Sequence, residues 1–113
     1  MKEFSKVARE PEIQPGQRKV FWVEGRKVLV FNVGGAFYAV DESCPHRECS
    51  LSRGSLKGKV IVCPCHSAQF DLETGSVITQ PSKYPPTPPL PVHQVKVEGG
   101  DVMVAVSQDD IVI

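Results

Sequence analysis

The chain of 113 residues reads as an all-β protein, an antiparallel sandwich or small barrel. Three observations carry that reading. Short runs rich in β-branched and aromatic residues follow one another closely. Turn signals of the glycine type separate them. No segment holds a sustained helical period, so any helix is short.

The elements follow in order. "KVARE" near the start alternates weakly. "RKVFWV" (18–23) and "KVLVFNV" (27–33) read as strands, with Glu24-Gly25 inside the turn between them. Gly34-Gly35 joins Val33 to "AFYAV" (36–40), the residue pair a tight hairpin favours. "KGKVIVC" gives a further short strand led in by Gly58. "HQVKVEGGDVMVAV" alternates on both sides of Glu98-Gly99-Gly100-Asp101 and forms a second hairpin. Phe21, Trp22 and Phe31 are expected in the core. The segment "QPSKYPPTPPLP" (80–91) holds six of the ten prolines. Proline fixes φ and lacks an amide donor, so this piece is no interior strand. A strand that needs a partner follows it, which favours a stiff loop packed over the domain above a free linker.

Composition narrows the function classes. The hydrophobic fraction is 41%, near the globular norm. Thirteen Lys and Arg balance thirteen Asp and Glu, giving a formal net charge of zero. A nucleic-acid binder needs a basic face, and a polybasic membrane anchor needs excess positive charge. Neither is expected here. No apolar run approaches a membrane span, and "MKEFSKVARE" lacks the apolar centre of a signal peptide. The expected location is the cytoplasm.

All four cysteines fall in two stretches, "SCPHRECS" (43–50) and "VCPCHSAQFD" (62–71), each with a histidine. Both interrupt the strand pattern, just after "FYAV" and "KVIV". They are expected to be loops carried by a rigid sheet, where functional groups usually sit. In a cytosolic chain, cysteines more often bind metal than form a disulfide framework. The ligand candidates read Cys44-x-His46, sixteen residues, then Cys63-x-x-His66. Two thiolates and two imidazoles suit either zinc or an iron–sulfur cluster. The usual zinc knuckle is C-x2-C, and Cys63-Pro64-Cys65 is tighter than that. A [2Fe–2S] centre spreads its ligands over two irons. Two loops that each give one Cys and one His can place both thiolates on the inner iron and both imidazoles on the outer.

This ligand spacing resembles the Rieske pattern. The likeness covers about residues 30–105. "CPHRECSLSRGSLKGKVIVCPCHSAQFDLETGSV" resembles the cluster-binding region of small Rieske-type ferredoxins from end to end. Pro45 and Pro64 follow the two cysteines, and "LSRG" and "FDLETG" match common stretches. The resemblance implies a Rieske fold over the whole chain, 1–113. An antiparallel β-sandwich base would carry a small cluster-binding subdomain at about 42–78, with the proline-rich loop 80–91 covering the cluster's third side. It implies a Rieske [2Fe–2S] cluster held by Cys44, His46, Cys63 and His66. In the Rieske proteins of cytochrome bc complexes, cysteines at the positions of Cys49 and Cys65 form a disulfide that ties the two loops, so the same pairing is expected here.

The imidazoles bear on the potential. Neutral histidines leave the oxidised centre without net charge, where four thiolates would make it a dianion. Rieske potentials accordingly run from about −150 to +300 mV, against about −400 mV for plant-type centres. High-potential relatives carry a serine two places after the second histidine and a tyrosine four places after it. This chain has Ala68 and Phe70. Both donors are missing, which lowers the expected potential. Glu48 and Ser67 stand where the family often has glycine, so the turns beside both histidines depart from the family pattern.

The resemblance implies one-electron transfer rather than catalysis. The partners would be redox proteins: a flavin reductase on one side, and an oxygenase or other terminal oxidoreductase on the other. No nucleic acid or membrane partner is expected, and the chain is expected to be a monomer. A permanent small Rieske subunit of a larger enzyme, such as nitrite reductase, is the first alternative. A zinc-bound structural domain is the second. His93 is read as an ordinary surface or edge residue. Asp41, Glu42, Glu48, Asp71 and Glu73 are read as solvated acids near the loops.

Overall fold

The computed structural model describes residues 3–45, 49–65, 67–81 and 86–106. Among the described residues the strands are β1 Ser5–Arg9, β2 Arg18–Val23, β3 Arg26–Val33, β4 Ala36–Asp41, β5 Ser55–Lys57, β6 Val60–Val62, β7 Gln69–Asp71, β8 Val77–Thr79, β9 Val92–Glu98 and β10 Asp101–Ala105. Among the described residues the helical turns are 3₁₀ pieces at Glu10–Glu12 and Leu51–Arg53. A six-stranded sheet has the order β1-β10-β9-β4-β3-β2, and a four-stranded sheet the order β5-β6-β7-β8. Every strand pair is antiparallel.

The hairpins sit where the glycines place them. Glu24 and Gly25 have φ of 51° and 79°, and Val23 pairs with Arg26 across them. Two successive positive φ values match the right-handed twist of the flanking strands. Residues 34–35 and 99–100 turn the other two hairpins of the large sheet. The strands β5, β7 and β8 are only three residues each, too short for any periodic signal in sequence.

Strand β3 organises the core because it is buried on both faces. Successive side chains of a strand point to opposite sides. Val28 and Val30 pack with Ile13, Val23, Ala39, Val102 and Val104. Leu29 and Phe31 pack with Val40, Leu51, Ile61, Phe70, Leu72 and Leu90, and with Cys44 and Cys63. The second group joins the large sheet to the small one. The cysteines therefore sit on an apolar platform shared by both sheets.

The described ends of the proline-rich segment are fastened to this platform. Leu90 is buried in it, and its N–H donates to the Gly75 carbonyl at 2.9 Å. Thr87 is buried as well, its N–H donating to Gln80 Oε1 at 2.8 Å. The Asp41 N–H donates to the Pro91 carbonyl at 3.0 Å. Residues 82–85 lie outside the described residues.

The aromatic core expectation needs correction at one position. Phe31 is fully buried and Phe21 packs on the second core group, but Trp22 is 70% exposed. Strand β2 ends the sheet order, and Trp22 faces the same side as its partner Lys27. Edge placement, invisible to composition, leaves that side uncovered.

Candidate metal centre

The two cysteine stretches form two loops built on one plan. The first leaves β4 and is closed by a bridge between Ser43 and Ser50. Inside it the Cys44 N–H donates to the Cys49 carbonyl at 2.7 Å. The second connects β6 to β7, beyond the pair Val62–Gln69. Inside it the Cys63 N–H donates to the Ala68 carbonyl at 2.7 Å. Each neck bond thus links a cysteine to the residue five places on, and each cysteine is followed by proline. Strand pairing holds both necks, so the loops are rigid at their roots.

Cys49 and Cys65 are joined by a disulfide, with Cα atoms 6.4 Å apart, inside the usual range of about 4.4–6.8 Å. It ties one loop to the other. Cys44 and Cys63 stand outside it, and both are buried in the apolar cluster beneath the loops. The sulfur of Cys63 lies within 4.8 Å of both disulfide sulfurs. His46 and His66 lie outside the described residues, as does Glu48.

The donor set fits a Rieske centre better than an all-cysteine one. Four thiolate ligands would require Cys49 and Cys65, which are spent on each other. Two thiols remain, one at each neck, each in a loop whose sequence also holds one histidine. Ala68 and Phe70 are fully buried in the same cluster, and neither carries a hydroxyl. Ser67 adopts φ of 63°, the left-handed region that glycine enters freely, and its N–H donates to the Cys63 carbonyl at 3.1 Å. A turn that glycine would enter freely is therefore made here by serine, at a cost of about 1 kcal/mol.

Acidic side chains support the first loop, contrary to the expectation that they are merely solvated. Glu42 is 4% exposed. Its carboxylate accepts from Ser50 and, at 3.4 Å, from Ser52, with Lys27 Nζ at 3.9 Å. Its backbone accepts from the Leu51 N–H at 2.8 Å. Glu42 therefore fastens the chain leaving the first loop to the chain entering it. Asp41 is gripped by Arg26, through Nε at 3.2 Å and Nη2 at 2.9 Å. His93 Nε2 meets the same carboxylate at 2.8 Å. His93 is buried, which corrects its reading as a surface residue. It enters β9 opposite Ala39, and that pairing turns the ring toward the end of β4. Burial by itself would raise the Asp41 pKa, but hydrogen bonds from His93 and Arg26 and the charge on both outweigh it and hold it below the usual carboxylate value.

The second loop and the small sheet have their own fastenings. Arg18 Nη1 donates to the Gly54 carbonyl at 2.6 Å, joining β2 to the chain before β5. Asp71 Oδ1 accepts from the N–H groups of Glu73 and Thr74 at 2.7 and 3.2 Å, forming the turn of "FDLETG". Glu73 is exposed and paired with Lys59. Gly75, at φ of 80°, closes the turn so near the Leu90 carbonyl that a Cβ has no room. Sequence reading found the cysteines and histidines but missed Arg26, Glu42 and His93 as supports. The one signal available was Ser50-x-Ser52, two hydroxyls just beyond Cys49, which need an acceptor.

Comparison with known proteins agrees with this geometry. The family model described as the Rieske [2Fe-2S] domain matches residues 3–94. The biphenyl dioxygenase ferredoxin subunit of Pseudomonas sp. (strain KKS102) is 38% identical over 106 residues, covering 93% of this chain and 94% of the relative. The ferredoxin of carbazole 1,9a-dioxygenase from Nocardioides aromaticivorans IC177 superposes with a TM-score of 0.79 at 31% identity, over 92% of this chain and 98% of that one. A chain in the complex of reduced oxygenase and oxidized ferredoxin in carbazole 1,9a-dioxygenase superposes with a TM-score of 0.76 at 39% identity, over 90% and 92%.

Proposed function

Because the chain belongs to the Rieske [2Fe-2S] domain family, we propose that it is a ferredoxin, carrying single electrons between a reductase and a terminal oxygenase. The observation that carries this reading is the division of the cysteines. One pair is consumed in tying the loops, and one buried thiol is left at each neck. Cys44 and Cys63 would hold the inner iron, and His46 and His66 the outer. When bound, the cluster supplies one-electron redox chemistry. The chain's own part is to bury the two thiolates, fix both loop roots through strand pairing and keep water off the inner side with Leu51, Ile61, Phe70 and Leu90. Ala68 and Phe70 offer the sulfurs no hydroxyl, so the midpoint potential is expected below that of relatives with such donors.

The oxygenase partner rests on the relatives, which are ferredoxin components of biphenyl and carbazole dioxygenases. Carriage rather than catalysis is proposed on the same ground. The cluster-binding subdomain is proposed at about 42–78, covering both loops and the small sheet up to β8. No helix among the described residues is long and apolar enough to cross a membrane. The cytoplasm as compartment is proposed from the sequence.

The test begins with the purified protein. Iron and sulfide should be equimolar at two each per chain, and the reduced state should give an electron paramagnetic resonance spectrum with nitrogen coupling from histidine. Substituting His46→Ala or His66→Ala should abolish that signal. The reduced protein should then be reoxidised by a terminal dioxygenase of the biphenyl or carbazole type. A colourless zinc-containing protein would sink the reading. A red protein that no such oxygenase reoxidises would leave the cluster standing and remove the partner.

A further inference from the structure

The sulfur of Cys63 and the two sulfurs of the Cys49–Cys65 disulfide lie within 4.8 Å of one another. In the oxidised protein two of these three sulfurs are bonded to each other and cannot ligate a metal. Reduction changes that. A dithiol supplies two electrons and two protons and closes to its own disulfide, leaving two thiols on the chain. Cys65 is exposed and Cys49 partly so, which gives a reductant access. The sulfurs then stay close together, because other bonds hold the loops. The neck bonds at Cys44 and Cys63, the bridge between Ser43 and Ser50 and the β6–β7 ladder are all independent of the disulfide.

We propose that reduction of Cys49–Cys65 creates a three-thiolate site, Cys49, Cys63 and Cys65, for a thiophilic cation of the zinc class, and that the disulfide keeps this site closed. With metal–sulfur bonds of about 2.3 Å, sulfurs around a tetrahedral ion stand about 3.8 Å apart. The Cys49 and Cys65 sulfurs, about 2 Å apart while bonded, must separate to reach that, and the Cys63 sulfur already lies within 4.8 Å of both. Three soft thiolates select zinc over hard cations. Two come from the second loop, closer in sequence than the two cysteines of the usual zinc knuckle, and the third crosses from the first loop, so the site is no knuckle. The consequence for the cluster rests on the reading of Cys63 as an iron ligand. A zinc ion on Cys63 takes that ligand away, so the disulfide protects correct loading as well as joining the loops.

The test uses cobalt(II) as a coloured probe for zinc, on the full cluster-free chain, with a phosphine as reductant. The phosphine gives two electrons to the disulfide and takes the oxygen of one water to become its oxide, and that water's two protons end on the two thiols. Reduced wild type should bind one equivalent with strong sulfur-to-cobalt charge-transfer absorption. The oxidised chain and the reduced C49S/C65S chain keep the Cys44, His46, Cys63 and His66 set, so they should show the weaker charge-transfer absorption of two thiolates in place of three. In reduced Cys44→Ala, which loses a proposed iron ligand but none of the three sulfurs, the three-thiolate absorption should remain. Equal charge-transfer absorption from reduced wild type and C49S/C65S would overturn the proposal. So would loss of binding in Cys44→Ala, which would move the metal to the Cys44, His46, Cys63 and His66 set. If C49S/C65S fails to fold by circular dichroism, the oxidised against reduced comparison decides. Iron content of the oxidised protein, measured separately, tests the ferredoxin reading without touching this one.

Discussion

Asp41 ends β4 three residues before Cys44, and its carboxylate is shared between Arg26 at the start of β3 and His93 at the start of β9. Replacing it in Asp41→Asn keeps the shape and removes the charge. Hydrogen bonds to charged groups contribute about 1.5–3 kcal/mol each, so the loss of a twofold Arg26 contact and the His93 contact sets the scale. The Asp41 and Arg26 side chains are 21% and 25% exposed, which trims the gain by partial solvation. The expected cost near neutral pH is about 2–3 kcal/mol, or a melting point lower by about 8 °C or more. The sign with pH follows from the depressed carboxyl. Its folded pKa lies below the ordinary 3.8. The stability it contributes is complete above 3.8 and is lost as pH falls through the folded value. The gap between wild type and variant should therefore narrow on acidification below 3.8. Guanidinium unfolding followed by far-ultraviolet circular dichroism, at neutral pH and in steps through the acid range, measures both quantities. A difference under about 0.5 kcal/mol at neutral pH would place the network among surface pairs of no consequence. A gap that widens in acid would reverse the assigned sign.

Three further outcomes are expected. The disulfide closes a loop with a sequence separation of 16, so C49S/C65S should lose about 3 kcal/mol of stability in non-reducing unfolding, and reduced wild type should match it. Gly75→Ala meets both a positive φ and the Leu90 carbonyl, so it should cost more than about 2 kcal/mol and lower iron retention on heating. At Ser67, with φ of 63°, Ser67→Gly should leave the melting temperature within a few degrees, whereas Ser67→Val should cost about 1–2 kcal/mol and slow cluster incorporation.

The hairpins at 24–25, 34–35 and 99–100 were readable from sequence because a two-residue turn is a local event. Glycine supplies the positive φ, and the flanking β-branched residues supply the strands. The apolar run of β3 was readable as strand but not as central, since double burial depends on what covers each face. Trp22 shows the reverse failure. Its chemistry suits a core, yet the strand that carries it lies at an edge.

The same division holds at the centre. The sequence by itself determined which residues are the candidates for the chemistry, because ligand type and spacing are written along the chain: Cys44-x-His46 and Cys63-x-x-His66 in two proline-marked loops. The tertiary structure alone decided how the loops are held. Asp41 meets His93 across 52 residues, and Arg18 meets Gly54 across 36. Glu42 became a buried clamp only when Ser50 and Ser52 folded back onto it. These contacts form when strands distant in sequence pair, and the burial that gives them their strength exists only after both sheets have closed over the same core.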